Sequence, residues 1–305
     1  MKRYILRRLL HFLLVLFSIA ALTFLLMHLV PGGPWDREKP LPPDVREVLE
    51  RKYGLDRPLL VQFGDFLSSI ARGDLGFSYV FEGRSVGEIL REGLPATLTL
   101  GVGAFILSLI LGFLLGIAGA LFRGPPDLLS LLLSAFLAST PNLILGILLI
   151  LVFGVWLEAL PICGWGTPYH SILPILALAA FPAGLTARVV RASLLEAMSE
   201  NFVLAAFARG VSPGEVFLHH ILRHALVPVL TVLGPEFAFL ICGSFVIETL
   251  FSIPGAGRLF VEGVLLRDYG LIMGMTLFYA MVFSALNFIA DLLCAAFDPR
   301  IRYES

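Results

Sequence analysis

The sequence predicts an all-α integral membrane protein with six spanning helices and both termini on the cytoplasmic side. Three observations predict it. First, the 305 residues are 58% hydrophobic and only 15% charged, with a mean hydropathy of +0.89. A soluble domain would carry about a quarter of its residues charged. Second, six runs are long and apolar enough to cross a bilayer, at about 9–30, 97–122, 128–153, 171–195, 226–252 and 270–297. Third, Lys and Arg are unevenly shared among the connections. Eleven fall in segments that the N-in arrangement places inside, from Lys2 and Arg3 to Arg300 and Arg302, and only Arg258 and Arg267 fall in the two short outer loops. The net charge of −1 says nothing about nucleic acid, and no basic cluster suggests such a partner.

The first span carries a charged start of Lys2, Arg3, Arg7 and Arg8. Its apolar run exceeds a secretory signal core of about 7–15 residues, so it is expected to stay as an uncleaved anchor over 1–30. Residues 31–96 form the one sizeable extramembrane segment. In it Val45, Val48, Leu49 and Tyr53 recur at helical spacing and Gly54 is placed as a stop. Asp56-Arg57-Pro58 opens a second helix with Pro in the first turn, running to about Ala71. This segment serves either as a cap on the bundle or as a docking or gating surface for a delivered solute. Residues 97–305 form the five-span core, in which Gly101, Gly103, Gly112, Gly116 and Gly119 suit close helix packing. Cys163, Cys242 and Cys294 are too scattered for a disulfide framework or a metal spacing.

A polar island at about 196–228 interrupts the apolar pattern. A short helix over 201–209 ends at Gly210, which can take the left-handed conformation. Ser212-Pro213-Gly214-Glu215 then has the form of a capping box. On a regular helix Phe217, Leu218, Ile221 and Leu222 share one face, with His219, His220, Arg223 and His224 opposite. His220 and His224 stand four apart, a spacing open to a metal, but no Glu lies between them and no third ligand is near, so no metal site is expected. Two short helices between membrane spans suit docking to another subunit.

Ala205-Ala206-x-x-x-Gly210, with Leu222 and Pro228 downstream, resembles the EAA loop of binding-protein-dependent ABC importers. Landmarks along the whole chain bring the likeness closer to the B-type permease subunit of dipeptide/oligopeptide importers. They begin with Ile5-Leu-Arg-Arg8, Pro31-Gly-Gly-Pro34, Tyr53-Gly-Leu-Asp-Arg-Pro58 and Leu94-Pro-Ala-Thr-Leu98. They continue through Ser139-Thr-Pro-Asn142, Arg188-Val-Val-Arg-Ala-Ser193, Glu248-Thr-Leu-Phe251, Pro254-Gly-Ala-Gly-Arg258 and Asp298-Pro-Arg-Ile-Arg302. The resemblance implies the type I importer permease architecture in a prokaryotic plasma (inner) membrane. It also implies a heterodimer with a homologous second permease, two cytoplasmic ABC ATPases and an extracytoplasmic solute-binding protein, with peptides as cargo. Relatives of the same kind carry nickel complexes, glutathione or sugars. ATP and Mg would be bound by the partner ATPases, and no cofactor by this chain.

The same resemblance places ATPase coupling on Phe202, Ala205, Ala206, Phe207, Arg209, Gly210 and His220. The chain departs from the family pattern at Leu204, where the general motif has Glu. Leu204 and Phe207 also stand where peptide permeases often carry Arg, which makes the expected docking surface greasier and less basic. Glu236 is a third departure, a carboxyl in the middle of the fifth span, expected to face the bundle interior or a cavity in the translocation pathway. Glu248 is expected to be structural or to serve gating. Arg188 and Arg191, at the inner end of the fourth span, serve either topology and headgroups or contact with the ATPase or an inner gate.

No catalytic residue is expected. The three lysines, Lys2, Lys39 and Lys52, are not preceded by Gly, so the chain has no Walker A loop. No His-Glu-x-x-His, Gly-x-Ser-x-Gly or intramembrane Asp pair supports the rival reading of a membrane hydrolase. An ATP-independent carrier would show internal repeats or matched broken spans, and no convincing repeat is present.

Overall fold

The computed structural model describes residues 2–29, 42–81, 83–122, 124–243 and 245–297. Pro31-Gly-Gly-Pro34, Arg123 and Asp298-Pro-Arg-Ile-Arg302 lie outside the described residues. The elements are helical throughout. In chain order they are α1 (Lys2–Leu29), α2 (Pro43–Tyr53), α3 (Leu59–Ala71), α4 (Val86–Leu121), α5 (Pro125–Ser139) and α6 (Asn142–Leu149), the last running on through a π-turn at Ile150–Trp156. Then follow α7 (Tyr169–Ser199), α8 (Asn201–Ala208), α9 (Pro213–Val216), a π-turn at Phe217–Ile221, α10 (Leu222–Ile241), α11 (Phe245–Leu250), α12 (Ala256–Leu265) and α13 (Tyr269–Phe297).

Among the described residues five helical stretches are long and apolar enough to cross a bilayer. The run expected as one third span is broken instead: α5 and α6 meet at 105°, and together they make a sixth span if counted as one. The break falls at Thr140-Pro141. Thr140 is extended, at φ −85° and ψ 120°, as a residue preceding proline tends to be, and the apolar composition runs on across it.

The chain divides into two compact units. Among the described residues, one comprises those of 97–253 with 285–297, the other those of 2–96 with 254–284. In the first, α7 is the central helix, packed against α5, α6 and α10 and lined with buried Leu173, Ala177, Ala180, Ala183 and Ala187. Small residues let its neighbours close in. A side chain at Gly116 would meet Val190 at 2.7 Å and the Ala187 carbonyl at 2.8 Å. One at Gly101 would stand 2.5 Å from the Leu240 carbonyl oxygen.

In the second unit Asp268, fully buried, organises the loop that follows α3. It accepts from Ser78 Oγ, from the Tyr79 N–H at 2.9 Å and from the Val80 N–H at 3.2 Å. It also caps α13 by accepting from the Leu271 N–H at 3.1 Å. Burial, and then the Asp268 charge, push the Tyr79 phenol up to about 12, so it stays protonated. Gly54 ends α2 with φ +68°, as expected. Pro58 stands at the cap of α3 rather than inside its first turn.

Candidate functional site

The polar island folds as a compact loop between α7 and α10. At Glu200 the backbone turns extended, φ −76° and ψ 148°, which ends α7 and starts α8. α8 stops where Gly210, at φ +80°, donates its N–H to the Phe207 carbonyl at 2.9 Å. Ser212 then opens α9, its Oγ accepting from the Glu215 N–H at 3.4 Å. Both stops follow from local chemistry already present in the sequence.

This loop is anchored by an apolar cluster. Val203 and Ala206 from α8, with Val216, Ile221, Ala225 and Val229, pack on Val190, Leu194 and Ala197 of α7. Ala206 is 0% exposed, so it is a packing point that holds α8 from behind, while Ala205 and Ala208 face outward. On the outer side Leu204 is 68% and Phe207 45% exposed. Arg209 is exposed, its guanidinium turned back onto the Ala205 carbonyl at 3.2 Å.

The face expected from regular helical spacing is corrected at Leu218, which is 60% exposed instead of buried. The cause is the π-turn at Phe217–Ile221. Its i→i+5 bonding brings Val216 and Ile221, five apart, onto the inner side and turns Leu218 out. Leu218 thus joins Leu204 and Phe207 as an outward apolar side chain of the loop. His220 is half-buried. The His224 ring stacks on Phe202, centroids 4.5 Å apart and 25° from parallel. Those two rings line a cavity of about 260 Å³ with Glu196, Glu200 and Pro228. Among the described residues no cluster of His, Cys, Asp and Glu has metal-binding form.

Behind the loop three polar links tie the bundle together. Arg191 grips Asp127 with two parallel bonds, Nε to Oδ1 at 2.9 Å and Nη2 to Oδ2 at 3.1 Å. Both side chains are about three-quarters buried, and the pair joins the first turn of α5 to α7. Arg188, one turn earlier, is exposed. Glu236, 8% exposed on α10, accepts from Thr186 Oγ1 of α7 at 3.1 Å through Oε2. Its Oε1 has no hydrogen-bond partner among the described residues. Glu248, fully buried on α11, accepts from Thr97 Oγ1 at 2.8 Å.

Sequence reasoning missed Asp127, Thr186 and Thr97. The first offered a signal, an acidic residue straight after Pro125-Pro126 at a helix start. The two threonines offered none, because their partners lie 50 and 151 residues away. The arrangement is a set of buried polar links beneath an exposed apolar patch.

Comparison with known proteins places this geometry. Residues 108–303 match the family described as "Binding-protein-dependent transport system inner membrane component". Residues 1–101 match the companion N-terminal family of such membrane components. The dipeptide transport system permease protein DppB of Bacillus subtilis is 40% identical over 303 residues, spanning 99% of this chain and 98% of its own length. The oligopeptide transport system permease protein OppB of Escherichia coli is 37% identical over 306 residues, spanning 99% and 100%.

Among solved structures, the inward-facing MetNI methionine ABC transporter matches with a TM-score of 0.53 at 18% identity, over 70% of this chain and 97% of that chain. An amino acid ABC transporter with histidines matches equally, at 0.53 and 18%, over 70% and 94%. These likenesses show the shared fold. The chain belongs to the family of inner membrane components of binding-protein-dependent transport systems.

Proposed function

We propose that the chain forms half of the translocation pathway of an ATP-driven importer for dipeptides or oligopeptides. The observation that carries this reading is the full-length likeness to permeases named for those solutes, at 37–40% identity. The chain acts with a homologous second permease, two cytoplasmic ATPases that bind ATP and Mg, and a solute-binding protein. It lies with six spans and both termini in the cytoplasm, counting α5 and α6 as one broken span. Residues 31–96 then face outward and the α8–α9 loop faces the ATPases.

Within that frame Leu204, Phe207 and Leu218 form the apolar docking patch, aided by Phe202, Ala205, Arg209, Gly210 and His220. Ala206 supports it from inside. Arg191 serves the inner end of the bundle through Asp127, and Arg188 reaches headgroups or the ATPase. Glu236 belongs to the pathway wall, a reading supported by its unmatched oxygen, since a buried polar atom without a partner is costly to keep. Glu248 is a structural or gating carboxyl.

Purification of the chain with its bound partners, followed by reconstitution in vesicles, tests the whole reading. ATP-dependent uptake of labelled di- and oligopeptides is expected once the binding protein is added. Uptake of nickel complexes, glutathione or sugars but not peptides would move the substrate within the family. Purification without any ATPase, under conditions where related complexes survive, would overturn the importer itself.

A further inference from the structure

The α3 helix carries an observation that transport of a solute does not use. It is apolar overall, yet none of its residues is buried. Its polar side chains lie together: Gln62, Asp65 and Ser69 recur on one face and line a cavity of about 340 Å³. Hydrogen bonds within the protein engage that face, although the Asp65 side chain stays 63% exposed. Gln62 donates to the carbonyls of Leu55 at 3.1 Å and Arg57 at 2.7 Å, and Asp65 accepts from Arg57 at 3.1 Å.

At 100° per residue Leu60 points about 160° away from Gln62, with Leu67 beside it at about 140° and Phe63 at about 100°. Leu60 is 86% exposed and Leu59 52%. A free surface facing water would not present such a stripe on an otherwise amphipathic helix.

The position of α3 along α1 indicates what covers that stripe. The Phe63 ring sits between two rings of α1, 6.0 Å from Phe17 and 5.1 Å from Phe24. Ala20, midway between those two, is fully buried. The apolar run of α1 ends at Leu29, nine residues beyond Ala20, or about 13 Å along the axis. The hydrocarbon core of a bilayer is about 30 Å thick, so Phe63 meets α1 well below the membrane surface. Phe17 is itself 54% exposed, on the lipid-facing side of a span that few other residues cover. The apolar stripe of α3 is therefore continuous with a surface that already faces acyl chains.

We propose that α3 is a membrane-embedded helix, lodged beside α1 in the leaflet at the C-terminal end of that span, with Leu60 and Leu67 in the acyl chains. Its polar face turns to the cavity, which spares Gln62 from hydrocarbon, while the 63% exposed Asp65 side chain keeps its charge paired with Arg57. The occupant of the exposed stripe is lipid, whichever solute the transporter carries.

The test is spin-label accessibility in the assembled transporter reconstituted in vesicles, with Cys163, Cys242 and Cys294 replaced by Ser. Labels go at Leu60→Cys, a position 86% exposed, and at Asp56→Cys as the water-side reference. The label at 60 is expected to be relaxed by dissolved oxygen and not by an aqueous nickel chelate, with the reverse at 56. Relaxation of the label at 60 by the nickel chelate would place α3 in water and overturn the proposal. Shielding from both reagents would overturn it too, because a partner protein would then cover the stripe.

Discussion

Glu236 and Glu248 are both buried carboxyls, yet they are held differently. Glu248 receives a 2.8 Å bond from Thr97, and Gly243 packs close beside it, where a side chain would stand 3.1 Å from Oε1. Glu236 receives a longer bond from Thr186, and among the described residues its other oxygen has no partner. The amide of Glu236→Gln keeps the shape and can still accept from Thr186, so the variant is expected to assemble normally while the kinetics of uptake change. Identical uptake kinetics in the wild type and the variant would remove Glu236 from the pathway. Arg191 and Asp127 pose a different question at the same scale. Their two-pronged pair is partly buried, and such pairs are stronger than exposed single contacts. A double-mutant cycle of Arg191→Ala and Asp127→Ala, read from thermal unfolding in detergent, is expected to give a coupling of about 1 kcal/mol. A coupling near zero would mean that the pair holds α5 to α7 no better than solvent does.

At the scale of elements, the stops of α8 and the break of the third span teach different things. Gly210 ends α8 at φ +80°, and nothing lies within 4 Å of where a side chain would begin. Gly210→Ala therefore meets no clash and costs only the dihedral, about 1 kcal/mol, with loss of order at the end of α8 in hydrogen exchange. Gly116→Leu is the opposite case, since it meets the Val190 side chain and the Ala187 backbone, and the latter cannot move aside. It is expected to destabilise the α4–α7 contact by about 1–3 kcal/mol, seen as a lower melting temperature of the purified protein. Those stops were legible in the sequence because glycine, serine and proline act on their own backbone. The third span was legible only as hydropathy. Proline at 141 marks a possible bend, but 105° depends on what α5 and α6 pack against. The exposed Leu218 was not legible at all, because periodicity assumes regular turns and the π-turn at Phe217–Ile221 shifts the phase. The partners Thr186 and Thr97 escaped for the reason that side-chain bonds between distant spans leave no local pattern.

For the molecule as a whole, the question is how work done elsewhere enters a chain that has no nucleotide loop of its own. The proposed entry is the α8–α9 loop, and its construction suits a lever. Its inner side is fixed to α7 and α10 by one continuous apolar cluster, and α7 is the helix on which α5, α6 and α10 all pack. A push on α8 thus cannot be absorbed by α8 alone, because cores packed this tightly transmit displacement. The outer side is apolar at Leu204, Phe207 and Leu218, so the proposed attachment rests on burying those side chains in the partner. Burying a Phe contributes about 1.5–3 kcal/mol, and placing a carboxylate there instead adds a desolvation penalty. Phe207→Asp faces solvent in the isolated chain and is expected to leave its fold and its pairing with the second permease intact. In the complex it should release the ATPases during purification, or abolish ATP-driven uptake where they remain bound. Phe207→Leu, which keeps apolar area, is expected to retain most of the activity. If Phe207→Asp transported as well as the wild type, the patch would not be the docking surface. Loss of the second permease along with the ATPases would instead show that the loop stabilises the membrane pair, and the energy would have to enter through another face.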